Sequence, residues 1–216
     1  MSKRKPRRPY DASGRQARAL ENQERVLDVA RELFAERGYA ETTIDQIATQ
    51  AGVAVPTIYA AFQSKRGLLD RLIHRLVSGE PGAPPLLETA GAQHVAAAPD
   101  ARELFARFVR HLVGVQARVV PIYEVMKSAA RTEPEIAALV ARMQNYRLAN
   151  VQTIASRVAE LGQLRAGLAL EEAGRTIWVL TSPEVRQLLL GQAGWTEERY
   201  VAWLEDQLAA SLLAGP

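Results

Sequence analysis

The fold of this chain is decided by residues 42–66, which read TTIDQIATQAGVAVPTIYAAFQSKR. The pattern predicts two short helices joined by a turn, directly after a longer amphipathic helix. Thr43 and Gln46 have the spacing of a capping box, which satisfies free N–H groups at a helix start. Gly52 suits the turn, because a side chain there would crowd the crossing of the two helices. Pro56 falls in the first turn of the second helix, where a missing N–H costs nothing.

The second helix of this pair has two sides of different character. Ile58 and Phe62 are four residues apart and are expected to anchor the helix on the core. The opposite side is expected to carry Val55, Thr57, Tyr59 and Ala61. A short, rigid helix held by two apolar anchors fits the major groove of DNA. The segment therefore predicts a helix-turn-helix, and we expect the chain to be a DNA-binding regulator.

The same stretch resembles the N-terminal domain of the TetR/AcrR family of bacterial repressors. The resemblance is carried by Phe34-Ala35-Glu36-Arg37-Gly38-Tyr39, Thr42-Thr43-Ile44, Ile47-Ala48, Ala51-Gly52-Val53, Thr57-Ile58-Tyr59, Phe62 and Ser64-Lys65. It implies a dimer interface in the last two helices, and it implies that Lys65 contacts a phosphate. One helix-turn-helix per chain, together with an apolar row near the C-terminus, predicts a homodimer that binds a palindromic operator. Ala54 and Val55 depart from the family, which often has a capping residue and a polar residue at these positions.

The remainder of the chain predicts helices and no strands, so we expect an all-α protein. Residues 1–18 are predicted to be a flexible basic arm, and residues 19–66 a three-helix DNA-binding domain with a linking helix over 64–78. Residues 79–216 are predicted to be a helical domain for effector binding and dimerisation. Within the first domain, the long helix is expected to run from Leu20 to Arg37 and to stop at Gly38.

Capping and breaking residues predict the helices of the second domain. Asp100 is expected to cap a helix that ends near Val119, and Pro121 is expected to open a separate segment over 122–130. Thr132 and Glu135 have the spacing of a capping box for a long helix that ends at Gly162. A helix from Glu171 should break at Pro183. Thr196 should cap the last helix, with Trp195 and Tyr200 as a hydrophobic staple.

Composition excludes several kinds of chemistry. The 216 residues include no cysteine, which excludes disulfides, thiolate metal sites and a cysteine nucleophile. The three histidines, at positions 74, 94 and 111, lack the spacing of a ligand pair, so we expect no metal and no cofactor. The pairs Glu171-Glu172 and Glu197-Glu198 lie at predicted helix starts, where acids favour the helix dipole. We therefore expect that the protein is not an enzyme.

Basic residues are concentrated at the start of the chain. Residues 1–78 hold 14 Lys and Arg against 9 Asp and Glu, which leaves 13 of the 27 bases against 15 of the 24 acids for residues 79–216. The first 18 positions contain Lys3, Arg4, Lys5, Arg7, Arg8, Arg15 and Arg18. Such an arm attracts a polyanion, because each neutralised phosphate releases counterions. We expect DNA contacts from Lys3, Arg4, Lys5, Arg7 and Arg8, with a solvated, disordered tail as the alternative.

Neither a signal peptide nor a membrane span is predicted. No apolar segment follows the basic residues, and no window of the sequence is long and apolar enough to cross a bilayer. We therefore expect a cytoplasmic protein without a membrane partner.

The expected DNA-binding surface is unusual in its residue types. Residues 54–62 contain no Arg, Lys, Asn or Gln, the side chains that usually read base edges. Their methyl and hydroxyl groups suit thymine methyls and phosphates better. The N-terminal amides of the first short helix can hold a further phosphate. The expected contacts are Thr42, Thr43, Val55, Pro56, Thr57, Tyr59 and Lys65. The alternative is that Thr57 and Tyr59 are simply exposed polar residues.

A binding site for a small, largely apolar effector is predicted within residues 100–182. Its candidate residues are Phe105, Phe108, His111, Tyr123, Met126, Met143, Tyr146, Arg147, Asn150 and Trp178. Aromatic and Met side chains at helical spacing are also typical of ordinary core. Arg147 and Asn150 are more informative, because a polar group buried without a partner is costly. They could serve a ligand, an ion pair or a dimer contact. The alternative function is a regulator without a small-molecule effector, controlled by a protein partner or acting as an activator.

The last helix carries an apolar row formed by Trp203, Leu204, Leu208 and Leu212. Such a row is expected to pack against a second copy of the chain in a four-helix bundle, which is the interface that the family resemblance implies. The alternative is burial of the row within the chain.

Overall fold

The computed structural model describes residues 12–79 and 89–214. The expected DNA contacts Lys3, Arg4, Lys5, Arg7 and Arg8 therefore lie outside the described residues. The chain divides into two compact units, Met1–Leu72 and Ile73–Pro216. We describe each unit by itself.

The first unit contains four helices or parts of helices. They are α1 (Ala12–Glu41), α2 (Ile44–Ala51), α3 (Val55–Phe62) and the beginning of α4 (Lys65–Ser78). Helix α1 begins at Ala12 and not at Leu20, so it includes the last residues of the predicted arm. The reason is local, because residues 12–20 are rich in Ala, Arg, Gln and Leu, which favour helix.

The long helix breaks at Gly38, as the sequence predicts. Gly38 has φ 78°, in the left-handed region that glycine adopts without steric cost. The hydroxyl of Thr42 donates to the carbonyl oxygen of Gly38 at 2.8 Å and to that of Leu33 at 3.1 Å. The side chain of Thr42 therefore closes the end of the helix.

The helix-turn-helix has the predicted geometry. The backbone N–H of Thr43 donates to Gln46 Oε1 at 2.9 Å, and that of Gln46 donates to Thr43 Oγ1 at 3.2 Å, which completes the capping box. Gly52 adopts φ 65° and ends α2. Ile58 and Phe62 of α3 are buried, with 1% and 6% of their surface exposed. These predictions are confirmed.

The start of α4 passes very close to the end of α3. Ser64 caps α4 by accepting a hydrogen bond from the Gly67 N–H at 3.0 Å. A Cβ atom on Gly67 would lie 2.1 Å from the backbone oxygen of Phe62. Because that oxygen belongs to the main chain, it cannot rotate away, and only glycine fits this position.

The second unit is built from longer helices. They are α5 (Ala90–Ala96), α6 (Ala101–Ala129), α7 (Pro134–Glu160), α8 (Leu170–Leu180), α9 (Pro183–Arg186), which continues as a π-helix over Gln187–Gln192, and α10 (Glu197–Leu212). Across residues 12–79 and 89–214 no strand forms, and a single isolated bridge pairs Leu164 with Leu213. The all-α prediction is confirmed. Asp100 and Thr196 cap α6 and α10 as predicted.

Two helix boundaries differ from the prediction. Helix α6 runs through Pro121 without ending, because the residues on both sides of this exposed proline are buried and hold the helix together. The capping box of Thr132 and Glu135 is also wrong. Glu133 is the residue at the N-cap, with no side-chain hydrogen bond, since Pro134 begins the helix immediately after it.

The C-terminal helices follow the predicted break, and the predicted staple residues contact a common aromatic neighbour. Helix α8 ends at Leu180, and Ser182 caps a new helix that begins at Pro183. Trp195 packs edge-on against Trp203 at 5.9 Å, and Tyr200 stacks on Trp203 at 6.3 Å. The aromatic contacts of Trp195 and Tyr200 therefore both run to Trp203.

The predicted dimer row is core of the single chain. Leu204, Leu208 and Leu212 have 0% of their surface exposed and belong to one apolar cluster with buried residues of α6, α7 and α8. Tyr200 on the same face of α10 donates to Gln116 of α6 at 3.5 Å. The prediction that these leucines contact a second copy is wrong, because α10 buries that face on α6. Trp203 remains partly exposed.

We expect Gly67→Ala to destabilise the first unit by about 1–3 kcal/mol, because the new methyl group must displace the main chain of α3. The matched control is Gly114→Ala in α6. Gly114 is exposed and has only the end of the Arg118 side chain, at 3.9 Å, near its added Cβ. That control should be neutral or stabilising by up to about 1 kcal/mol, since alanine favours helix over glycine. Urea unfolding measures both, and equal effects of the two substitutions would contradict the close approach.

Candidate DNA-binding surface and ligand cavity

The outer face of α3 is presented as the sequence predicts. Tyr59 has 50% of its surface exposed, Pro56 and Thr57 are exposed, and Val55 is half-buried. The buried Ile58 and Phe62 hold the opposite face. The four outer residues remain candidates for DNA contact.

The two threonines before α2 have different environments. Thr43 is exposed at the helix start, with its hydroxyl engaged in the capping box. Thr42 is fully buried, and its hydroxyl donates within the chain. The predicted DNA contact of the Thr42 side chain is therefore wrong, because this side chain closes the end of α1.

Lys65 has an intramolecular role that the sequence does not indicate. Its Nζ donates to the carbonyl oxygens of Tyr39 at 2.9 Å and Thr42 at 3.0 Å, and it lies 4.2 Å from the centre of the Tyr39 ring. That ring stacks on Phe34. The ammonium group thus joins the start of α4 to the connection between α1 and α2. Two of its three N–H donors are used inside the chain, and the phosphate contact that the family resemblance implies stays a prediction.

We expect Lys65→Met to lower the free energy of unfolding of the first unit by about 1–3 kcal/mol, because two carbonyl groups lose a charged donor. Arg71→Met is the matched control, since Arg71 is an exposed cation on the same helix and its loss should change stability by less than about 0.5 kcal/mol. Chemical unfolding followed by circular dichroism measures both. Wild-type stability of Lys65→Met would show that the intramolecular bonds contribute nothing.

The second unit encloses a cavity of about 500 Å³. This volume lies in the range of ligand-binding pockets. Its walls are formed by the end of α4, by α5, α6 and α7, and by the connection between α8 and α9, and most of the lining is apolar. The apolar lining includes Val77, Val95, Leu104, Phe108, Leu112, Val115, Val119, Val120, Met143, Val151 and Ile154.

Six of the ten predicted ligand-binding residues line the cavity. They are Phe108, His111, Met143, Tyr146, Arg147 and Asn150. The other four, Phe105, Tyr123, Met126 and Trp178, do not line it. Phe105, Tyr123 and Met126 lie on buried faces of α6 that serve the core, because neighbouring residues of a helix point in different directions. Their assignment to the pocket is wrong. Trp178 does not line the pocket either, but it contacts Arg147, a residue that does.

Trp178 packs against Arg147, which lines the cavity. The guanidinium carbon of Arg147 lies 4.7 Å from the centre of the Trp178 ring. Arg147 also donates through Nη1 to the Trp178 carbonyl oxygen at 2.8 Å and to Thr181 Oγ1 at 3.4 Å, and through Nε to Gln144 Oε1 at 3.1 Å. Burial lowers the pKa of Arg147 to about 10, so the side chain is charged at neutral pH.

Gln116 and Thr181 are cavity residues that the sequence analysis missed. Gln116 is 4% exposed, and its Nε2 donates to the Thr181 carbonyl oxygen at 2.9 Å. The sequence does contain a signal for Gln116, because this residue stands four positions after Leu112 and four before Val120 on an otherwise apolar face of α6. A polar residue in such a row indicates a buried hydrogen bond or a ligand contact.

A polar network extends from Arg147 through the interior of the second unit. Gln144 donates to the hydroxyl of Tyr123, which in turn donates to Glu184 at 3.0 Å, and Lys127 pairs with the same carboxylate at 3.1 Å. Burial, followed by the charge of Glu184, raises the pKa of Tyr123 to about 12. Tyr123 is therefore a neutral donor that links α6 to α9.

His111 is packed tightly at the wall that α5 forms. A Cβ atom on Gly91 would lie 2.7 Å from the imidazole ring, so the absence of a side chain there lets the ring fit. Burial, followed by the charge of Arg118, lowers the pKa of His111. The imidazole is therefore neutral at physiological pH.

Two features are absent from residues 12–79 and 89–214. Within these ranges no group of three or more His, Asp or Glu side chains is placed to hold a metal ion. In the same part of the chain, every helix is too short or too polar to cross a bilayer.

The first unit contains an anchored helix-turn-helix, a motif of many DNA-binding proteins, and the second contains a ligand-sized cavity. The family model for bacterial regulatory proteins of the tetR family matches residues 26–72. These residues therefore form a DNA-binding domain of the tetR type.

Relatives outside the family model agree with the assignment. The transcriptional repressor KstR2 of Rhodococcus jostii is 40% identical over 63 residues, which are 29% of this chain and 29% of that protein. The chain thus matches less than a third of the length of this curated relative. A structure of a regulator from Saccharomonospora viridis in complex with choline covers 90% of this chain and 99% of its own, with TM-score 0.69 and 21% identity. The SmeT–triclosan complex covers 90% and 92%, with TM-score 0.64 and 18% identity.

Proposed function

We propose that the protein is a homodimeric repressor that binds a palindromic operator and releases it when a small, largely apolar effector enters the cavity. The observation that carries DNA binding is the exposed outer face of α3, held in place by Ile58 and Phe62. The proposal places the protein in the cytoplasm, where its operator lies.

The chemistry of α3 suggests how it contacts DNA. Thr57 offers a methyl and a hydroxyl group, Tyr59 a ring and a hydroxyl group, and Val55 and Pro56 apolar surface. Such groups favour thymine methyls and phosphate oxygens over guanine edges. Since residues 54–62 lack a bidentate donor, we infer that the basic residues Lys3 to Arg8 supply electrostatic affinity.

The exposed tyrosine of α3 tests the DNA-binding surface. Duplexes selected from a random-sequence pool by the full chain should share an inverted repeat, with half-sites about 34–36 Å apart. Tyr59→Ala should weaken binding to them by about tenfold, equivalent to about 1.4 kcal/mol, without loss of stability. Leu170→Ala removes an exposed apolar side chain of the second unit that does not line the cavity, and it serves as the control. Wild-type affinity of Tyr59→Ala in fluorescence anisotropy would exclude this face of α3.

The cavity supports control by a small molecule. It is large enough for a drug-sized ligand, and its apolar walls with a few fixed polar groups are typical of such sites. The complexes with choline and triclosan show that proteins of the same fold bind small organic molecules. A ligand need only favour the conformation that does not fit the operator, and a coupling of about 1–3 kcal/mol suffices.

Self-association requires a surface other than the buried leucine row. Val179 of α8 and Leu188 of the π-helix each have 53% of their surface exposed, although both are large apolar residues. We infer that these residues, with the partly exposed Trp203, contribute to the dimer contact. Burial of such side chains against a second copy would remove apolar surface from water.

A charge on the exposed side of α8 should separate the two copies. We expect the wild-type protein to be a dimer and Val179→Glu to be a monomer at micromolar concentration, because the carboxylate would lose its hydration in the contact. Leu20→Glu is the matched control, since Leu20 is 56% exposed in the first unit. Multi-angle light scattering gives the masses. A wild-type monomer, or a dimer of Val179→Glu, would contradict the proposed contact.

A further inference from the structure

The cavity contains a charged donor whose bonding is incomplete. Arg147 Nη2 is buried and has no hydrogen-bond acceptor among the described residues. The Nε and Nη1 groups of the same side chain are already engaged by Gln144, Trp178 and Thr181. The guanidinium is therefore fixed in place at the cavity that Arg147 lines, and its Nη2 group is a charged donor that no described residue satisfies.

The other charges of the cavity wall do not neutralise Arg147. Among the described residues, Glu160 is the one acidic residue in the lining, and its exposed carboxylate pairs with Arg157 at 3.1 Å. Glu184 does not line the cavity. Its charge favours the charged form of Arg147, but its carboxylate already accepts hydrogen bonds from Lys127 and Tyr123. The wall thus carries a net positive charge at Arg147, in surroundings where an uncompensated charge is costly.

The rest of the cavity wall determines the chemical character of the remainder of the ligand. Side chains such as Leu104, Phe108 and Val119 present hydrocarbon surface with no hydrogen-bonding atoms. A molecule that complements both the charge of Arg147 and this apolar surface has one anionic end and an apolar body. A cationic ligand is disfavoured, because its charge would face two arginines and an acid that is already paired.

We propose that the ligand of this cavity is an apolar carboxylic acid, bound through its carboxylate to Arg147. This inference rests on the proposed function in taking the cavity as the effector site. A carboxylate is a strong acceptor for a guanidinium N–H, and the bond is stronger because both groups are charged. Since Arg147 is held by three groups of the protein, little side-chain freedom is lost when the acid binds.

Three probes that share a ten-carbon chain test the charge of the ligand. They are decanoate, decanol and decyltrimethylammonium, each titrated into the full chain by calorimetry below its micelle concentration. We expect decanoate to bind at least about tenfold more tightly than decanol, as one charge-assisted hydrogen bond predicts, and the cation to bind most weakly.

Substitution of Arg147 tests whether this side chain causes the preference for decanoate over decanol. Arg147→Met keeps an apolar chain and should abolish the preference for decanoate while decanol still binds. Arg147→Lys keeps a charge and should retain part of the preference. Arg110→Met, an exposed position of α6 outside the lining, should leave all three affinities unchanged. If Arg147→Met does not fold, Arg147→Lys and the wild-type comparison of the three probes still decide the question.

The outcomes separate the ligand class from the proposed function. Equal affinities of decanoate and decanol, or a preference that survives Arg147→Met, would overturn the carboxylate assignment and leave the effector site standing. Tight binding of decanoate without weaker operator binding would keep the assignment and contradict the effector role. Binding of none of the probes would overturn the carboxylate assignment and count against an effector in this cavity.

Discussion

The helix-turn-helix depends on one constraint, which is that helices as short as α2 and α3 are unstable alone in water. Each contains eight residues, too few for the backbone hydrogen bonds to offset the lost conformational entropy. Their stability comes from closed ends and one buried face. The capping box of Thr43, the left-handed Gly52 and the anchors Ile58 and Phe62 provide these features. The exposed face of α3 is a consequence of this arrangement, since Ile58 and Phe62 hold the opposite face of the helix.

The second unit obeys a different constraint, the cost of leaving a polar group in an apolar interior without a partner. Gln116 is satisfied by Thr181 and Tyr200, and Tyr123 by Glu184. These bonds link α6 to α10, to the end of α8 and to α9. Arg147 differs, because its side chain lines a cavity and its buried Nη2 donor has no acceptor among the described residues. This unsatisfied donor is the basis for the ligand chemistry proposed for the cavity.

Residues that resemble binding groups in the sequence serve the fold in several places. The hydroxyl of Thr42 and the ammonium of Lys65 are both engaged by backbone carbonyls of the first unit. Leu204, Leu208 and Leu212 form an amphipathic row whose appearance is the same whether it faces another copy or its own chain. In each case the residue type is clear from the sequence, but the group that the residue contacts is not.

The sequence by itself determined the elements whose causes are local. The capping box of Thr43, the break at Gly38, the turn at Gly52 and the caps of α6 and α10 all follow from residues a few positions apart. Helical periodicity also separated the anchors of α3 from its outer face. Only the tertiary structure decided that α6 passes through Pro121, that Phe105 serves the core while Phe108 lines the cavity, and that α10 packs on α6. The physical reason is that these outcomes depend on which distant surfaces meet, and burial against them outweighs local preference.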